Sequence, residues 1–179
     1  MIHFKLLPLL AFALLLPACG DSGPASNTQE LQTPAASDWL LDAEPSNAVD
    51  VKQAKASAEP GDPIVLRARI GGRAEPIADD GAVFTVMDLS VPHCGMIEGD
   101  SCPTPWDYCC EPPEMIRANA ATVRLVDRDG QPLDVRPTAA GLAPLDEVVL
   151  VGTVGPRPTP DVLVLQTTGV HRVAGVTNP

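Results

Sequence analysis

The sequence predicts a mainly β protein: a small antiparallel barrel with one short N-terminal helix and a long cysteine-rich loop. Apolar residues make up 45% of the 179-residue chain and aromatic residues only 3%, so Val, Leu, Ile and Ala must fill the core. The 20 prolines disfavour long helices, because proline interrupts helical hydrogen bonding. After residue 60, short runs rich in β-branched residues recur between turn signals, which is typical of a barrel or sandwich of short strands.

The N-terminus predicts export. A short segment with one cation, Lys5, precedes the apolar run 6–16, which is too short to span a bilayer but has the length of a signal-peptide core. The residues that follow, 16–20 (LPACG), resemble the lipobox of bacterial lipoproteins. The resemblance implies that residues 1–18 are removed and that Cys19 is lipidated, which would anchor the protein to a membrane of the cell envelope, facing the periplasm or the exterior. An ordinary signal peptide with an incidental cysteine is the alternative.

Residues 19–37 are small, polar and proline-containing, with no apolar periodicity, and predict a disordered tether behind the lipidated cysteine. Residues 38–179 are expected to form a single domain. Its first apolar segment, Asp38–Asp42, should pack onto that domain. A short helix is predicted within Ser46–Ser57, with Ser46 or Asn47 as its N-cap.

Five strands are predicted from runs of β-branched and apolar residues, with 171–173 extending the last: Ile64–Ile70, Ala82–Met87, Ala121–Val126, Glu147–Val154 and Asp161–Thr168. Asp129-Gly130 predicts a hairpin from the third strand into Leu133–Arg136. A calcium loop is disfavoured there, because the distal glutamate is missing. The layout over residues 48–174 resembles an OB-fold, an architecture that binds oligonucleotides or sugars through one face and its loops. An irregular β-sandwich is the alternative.

Four cysteines lie between the second and third strands, in a loop spanning residues 93–111: Cys94, Cys102, Cys109 and Cys110. Because their number is even and the predicted compartment is oxidising, we expect two disulfides that pin the loop. The adjacent Cys109 and Cys110 should each pair with Cys94 or Cys102. The spacing leaves the connectivity open.

Two other interpretations of the cysteine loop remain. The four thiolates, with His93 as an additional ligand, could hold zinc or copper, although the spacing C-x7-C-x6-C-C lacks paired C-x2-C knuckles. A redox dithiol is the third interpretation, but no C-x-x-C is present and neighbouring carboxylates should raise the thiol pKa. Trp106 and Tyr108 lie two residues apart and are expected to cover the disulfides or the barrel mouth, with a ligand-contact surface as the alternative.

The net charge of −11 disfavours nucleic-acid binding, since an acidic surface repels phosphates. No nucleophile, metalloprotease, phosphate-loop or dinucleotide signature occurs, so the sequence does not argue for an enzyme or for a cofactor. It predicts an envelope lipoprotein whose partners are the membrane, through its lipid, and an envelope protein or small molecule. The domain would be a non-catalytic OB-like module with a disulfide-stabilised loop. Metal binding and thiol–disulfide exchange are the alternatives.

Overall fold

The computed structural model of the chain describes residues 38–79 and 81–173. The predicted signal peptide, Cys19 and the tether lie outside them. Within the described part, no helix has the length and apolar character needed to cross a membrane. Five strands are present: β1 Pro63–Ile70, β2 Val83–Met87, β3 Ala120–Leu125, β4 Glu147–Val154 and β5 Val164–Arg172. Two short helices accompany them, α1 Val51–Ser57 and α2 Pro113–Asn119, along with 3₁₀ turns at Cys94–Met96, Pro105–Asp107 and Pro137–Ala140.

The strands close into a barrel in the order β1-β2-β3-β5-β4, with β4 returning to β1. A five-stranded Greek-key barrel of this kind is the OB-fold architecture, so the predicted fold class is confirmed. One pairing differs from the antiparallel expectation, because β3 and β5 run parallel. After β3 the chain crosses to the far side of the barrel, where β4 pairs antiparallel with β1. Strand β5 then fills the gap between β4 and β3, which sets its direction parallel to β3.

The core follows the alternation of buried and partly exposed residues along the strands. On β1 the inward side chains are Leu66, Ala68 and Ile70, each 0% exposed. The core is mainly aliphatic, as the low aromatic content predicts. Trp39, 4% exposed, packs against it, and its carbonyl accepts a hydrogen bond from Val170 N at 2.7 Å. The first apolar segment therefore packs onto the domain, as predicted.

Helix α1 starts later than the sequence predicts. Asp50 is its N-cap, and its carboxylate accepts a hydrogen bond from Gln53 N at 2.6 Å. The prediction of Ser46 or Asn47 as N-cap is wrong. Asn47 has a left-handed backbone (φ 62°), and Val49 pairs with Leu66 of β1. The chain before Asp50 is therefore held along the barrel instead of turning into a helix.

The predicted hairpin after β3 forms its turn but not its second strand. Asp127 Oδ1 accepts hydrogen bonds from the backbone N–H groups of Asp129 and Gln131, and Gly130 adopts φ 80°. Beyond the turn, only an isolated bridge joins Val126 to Pro132, and residues 133–136 form no strand. Both edges of β3 are already occupied, by β2 and by β5, so the returning segment has no edge to pair with.

Helix α2 was not predicted, although its sequence signals are clear. Pro113 lies in the first turn, where a backbone N–H has no acceptor within the helix, so that its absence in proline removes no hydrogen bond. Glu114 lies near the N-terminus and Arg117 in the last turn, which suits the helix dipole. The helix follows the cysteine loop directly and leads straight into β3. The helix therefore connects the cysteine loop to the barrel.

Strand β4 contains a register shift between Val151 and Gly152, which lets it pair with both β1 and β5. A Cβ on Gly152 would overlap the carbonyl oxygen of Gln166 and lie 2.9 Å from Thr167 Cα.

We expect Gly152→Ala to lower the free energy of unfolding by about 1–3 kcal/mol, as overpacking does. Chemical denaturation of wild type and variant measures the difference. Gly81→Ala is the matched control, because no atom lies within 4 Å of its added Cβ. Equal stability of the Gly152 and Gly81 variants would contradict the prediction.

Candidate functional site

The cysteine loop, residues 93–111, docks on the loop that follows β1. Gly72 N donates a hydrogen bond to the Trp106 carbonyl at 2.8 Å, and Trp106 Nε1 donates to the Ala74 carbonyl at 2.9 Å. A Cβ on Gly71 would lie 2.7 Å from Trp106 O and 2.9 Å from Tyr108 Cε2. The Gly71-Gly72 pair therefore permits an approach of two backbones that larger residues would block.

Tyr108 lies beneath the cysteine loop and is 0% exposed, packed with Met87 and Val91. Desolvation by burial raises its pKa, so the phenol stays neutral. Because its side chain is buried, Tyr108 packs beneath the loop and presents no exposed surface to a ligand in this structure. Trp106 is half-buried and hydrogen-bonded to the neighbouring loop. The two rings do not lie on an extended strand, because residues 105–107 form a 3₁₀ turn and Tyr108 is left-handed (φ 58°).

Among the connectivities that the sequence left open, the structure has a disulfide between Cys94 and Cys110. Cys102 and Cys109 are free thiols, so the structure has one of the two predicted disulfides and Cys109 lacks its predicted partner. The Sγ of Cys109 lies 3.5 Å from that of Cys102 and 3.8 Å from that of Cys94. All four sulfur atoms thus belong to one cluster, in which Cys94 is buried and Cys109 is exposed.

A carboxylate joins the two free thiols. The ligand atoms of Asp107, Cys94, Cys102 and Cys109 all lie within 4.8 Å of one another. Asp107 Oδ1 accepts a hydrogen bond from Cys109 N and Oδ2 accepts one from Thr104 Oγ1, each at 2.8 Å. Desolvation by itself raises the pKa of Asp107, but these hydrogen bonds outweigh it, and the net shift is downward. Asp107 is not among the ligands predicted from the sequence, although its position two residues before Cys109 is a local signal.

His93 was predicted as an additional metal ligand. Its ring is buried, 3% exposed, and desolvation followed by the charge of Arg69 lowers its pKa, so it is neutral at pH 7. In the part of the chain that the structure describes, His93 belongs to neither group of mutually close ligand atoms. The structure therefore separates His93 from the sulfur cluster although the two are adjacent in sequence.

A second feature lies on the outer face of β2 and β3. Thr85 and Thr122 are direct register partners and are both half-buried, between neighbours whose side chains enter the core. Two depressions meet at these threonines, with volumes of about 440 and 320 Å³. One wall comes from the β1–β2 loop, residues 73–79, and the other from Arg117 and the β4–β5 loop, residues 159–163. We call this surface the β2–β3 groove.

Hydrogen bonds hold both walls of the groove in place. Trp106 holds the β1–β2 loop at Gly72 and Ala74. The guanidinium of Arg157 braces the β4–β5 loop by donating to the carbonyls of Lys55, Ala58, Pro160 and Val162, at 2.6–3.2 Å. No local sequence signal predicts the contacts of Arg157 with Lys55 and Ala58, because these residues are 102 and 99 positions away.

The groove carries charges of both signs but offers no aromatic face. Phe84 is the aromatic residue that lines it, and its side chain is 1% exposed. Apolar surface comes from Val83 and from Val162, which is 36% exposed. The charged lining residues are Arg73, Glu75, Asp79, Arg117 and Asp161.

No protein-family model matches the chain, and no curated protein does. Solved structures with some similarity include the hypothetical protein ygiW from E. coli, at 14% identity and TM-score 0.36, covering 75% of this chain and 95% of that one. A putative aspartyl-tRNA synthetase from Leishmania major Friedlin has 11% identity and TM-score 0.40, covering 83% of this chain and 23% of that one. The aspartyl-tRNA synthetase from Entamoeba histolytica has 8% identity and TM-score 0.44, covering 98% of this chain and 30% of that one. The OB-fold assignment rests on the strand order, not on these similarities.

Cys109 should react slowly with alkylating reagents near neutral pH. Its hydrogen bond to Cys102, and then that to Asp107, raise the thiol pKa from 9.0 to about 11. The thiolate fraction at pH 8 is therefore below that of an ordinary cysteine, and the alkylation rate should keep rising toward pH 11. Mass spectrometry of iodoacetamide-treated, anaerobically prepared protein measures this rate at Cys109. Asp107→Asn should accelerate the reaction at pH 8, whereas Glu98→Gln in the same loop should not. A rate that levels off by pH 9 would contradict the shift.

Proposed function

We propose that this protein is a lipid-anchored, non-catalytic binding module of the cell envelope, and that its β2–β3 groove holds an extended peptide segment of another envelope protein. The carrying observation is that both walls of the groove are fixed by hydrogen bonds: Trp106 of the cysteine loop holds the β1–β2 loop, and Arg157 ties the β4–β5 loop to α1. A site held in place before binding loses less conformational entropy when the ligand arrives. The export and anchoring part of the proposal rests on residues 1–19 alone.

The chemistry of the groove favours a peptide over the ligands usually associated with the fold. Nucleic-acid bases stack on aromatic side chains in OB-folds, and this groove presents none. The net charge of −11 also opposes a polyanion. A chain carrying both charge signs could pair its cations with Asp79 and Asp161 and its anions with Arg73 and Arg117. Thr85 and Thr122 supply hydroxyl groups at the centre of the same surface.

The disulfide has a structural role in this proposal. The disulfide between Cys94 and Cys110, at a sequence separation of 16, stabilises the folded state by about 3 kcal/mol in the chain-entropy picture. The loop so pinned carries Trp106, which holds one wall of the groove. The cysteine loop would therefore support the ligand surface without contacting the ligand.

The structure of the cysteine loop disfavours the two alternative functions predicted from the sequence, metal binding by all four cysteines and thiol–disulfide exchange. A four-thiolate metal centre requires that the Cys94–Cys110 disulfide be reduced. Thiol–disulfide exchange requires a thiolate, and the pKa of Cys109, raised to about 11, opposes its formation. The binding module is therefore the function that we advance.

Charge reversal in the groove should weaken peptide binding. We expect a decapeptide of mixed Lys and Glu to shift the amide resonances of Thr85 and Thr122 in the ¹⁵N-labelled mature protein. The double change Arg73→Glu with Arg117→Glu should weaken this binding by about tenfold, because two attractive contacts become repulsive. Arg128→Glu, which alters a charge outside the groove, is the matched control. The proposal would be contradicted if oligothymidylate shifted the same two amide resonances. It would also be contradicted if the double variant and Arg128→Glu lost peptide affinity equally.

Lipid anchoring should depend on Cys19. We expect radiolabelled palmitate to be incorporated into the wild-type protein, and the Cys19→Ser variant to incorporate none, because the thiol is the attachment point of the lipid. The variant should also move from the membrane fraction to the soluble fraction. Cys102→Ser serves as the control, since it also removes one thiol. An unlabelled wild-type protein would exclude the anchor and leave the binding module as an exported soluble domain.

A further inference from the structure

The free thiols of Cys102 and Cys109 have no role in the proposed peptide-binding groove. The Cys94–Cys110 disulfide already closes the loop, and neither free thiol is part of the groove lining. Both point into one small cluster with the Asp107 carboxylate. We infer that Cys102, Cys109 and Asp107 form a three-ligand site for Zn²⁺, separate from the peptide-binding groove.

The spacing of the donor atoms suits a tetrahedral ion. Two thiolates bound to one zinc at about 2.3 Å each are about 3.8 Å apart, and the Cys102 and Cys109 sulfurs are 3.5 Å apart. A carboxylate oxygen of Asp107 lies within 4.8 Å of both. Small rotations of the side chains would bring all three donors to a common centre, with the fourth position open to water.

The carboxylate is held in place by its neighbours. One oxygen of Asp107 accepts from Cys109 N and the other from Thr104 Oγ1, and each retains a free lone pair for a metal. Asp100 Oδ1 similarly fixes the backbone of Cys102, accepting from its N–H at 2.7 Å. Such supporting hydrogen bonds orient metal ligands and strengthen binding. The 3₁₀ turn at Pro105–Asp107 brings the carboxylate back toward the sulfurs.

The donor set selects the ion. Two thiolates with one carboxylate form a borderline-soft site that suits Zn²⁺, whereas Cu⁺ prefers an all-sulfur environment and Mg²⁺ or Ca²⁺ all-oxygen ligands. Cys94 Sγ is close to Cys109, but it is bonded to Cys110 and cannot act as a thiolate. Binding replaces the two thiol protons with one Zn²⁺ and transfers no electrons, so the disulfide stays intact.

The test uses the full mature protein, purified from the envelope without chelator or reductant. We expect one zinc per chain by elemental analysis, together with one disulfide and two free thiols by intact mass after denaturation. Titration with Cd²⁺ should produce a thiolate charge-transfer absorption band. Cys102→Ser and Cys109→Ser should each abolish this band, and Asp107→Asn should weaken Zn²⁺ binding by at least about tenfold.

Two controls separate loss of the site from loss of the fold. Glu98→Gln removes an exposed acid of the same loop and should retain the zinc. Each cysteine variant should keep the Cys94–Cys110 disulfide and the thermal transition of the wild-type barrel. A protein that contains a Cys102–Cys109 disulfide and no zinc would overturn the inference. Zinc retained at wild-type affinity by Cys102→Ser would overturn it as well.

Discussion

Closure of the barrel depends on β4, which pairs along one edge with β1 and along the other with β5. A strand that serves two neighbours at different tilts must bend, and the register shift at Gly152 provides the bend. Gly152 approaches the backbone of Gln166 and Thr167 too closely to carry a side chain. The rest of the architecture follows, because β5 is held against β4 and its free edge is then available to β3 in the parallel direction.

The cysteine loop and the groove are coupled through the end of β1. Gly71 and Gly72 follow the last residue of that strand and lie in close contact with the backbone of Trp106. The first wall of the groove begins at the next residue, Arg73. The loop itself has little apolar surface to order it, apart from the buried Tyr108. Covalent closure between Cys94 and Cys110 therefore restricts a segment that packing alone would hold weakly. A change in the cysteine loop can thus reach the groove through Trp106, whose carbonyl accepts from Gly72 N and whose Nε1 donates to the Ala74 carbonyl.

The free thiols of the same loop are half-buried at Cys102 and exposed at Cys109. The hydrogen bond with Cys102, followed by the one with the Asp107 carboxylate, raises the pKa of Cys109, whereas hydrogen bonds lower the pKa of Asp107 itself. A cation placed between these groups would lower the pKa of both thiols and of the carboxylate, since it stabilises their anionic forms. The disulfide and the thiol pair therefore have different chemistry although Cys109 and Cys110 are adjacent.

The sequence by itself determined what depends on near neighbours along the chain. The alternation toward the end of Ile64–Ile70 predicted β1, the β-branched run in Glu147–Val154 predicted β4, and the even number of clustered cysteines predicted a pinned loop. Tertiary structure decided what depends on distant partners. It selected Cys94 as the partner of Cys110, buried Tyr108, moved the N-cap to Asp50 and set β5 parallel to β3. The physical reason is that hydrophobic periodicity is a local property, whereas disulfide pairing, burial and strand direction depend on the path by which the chain returns to close the barrel.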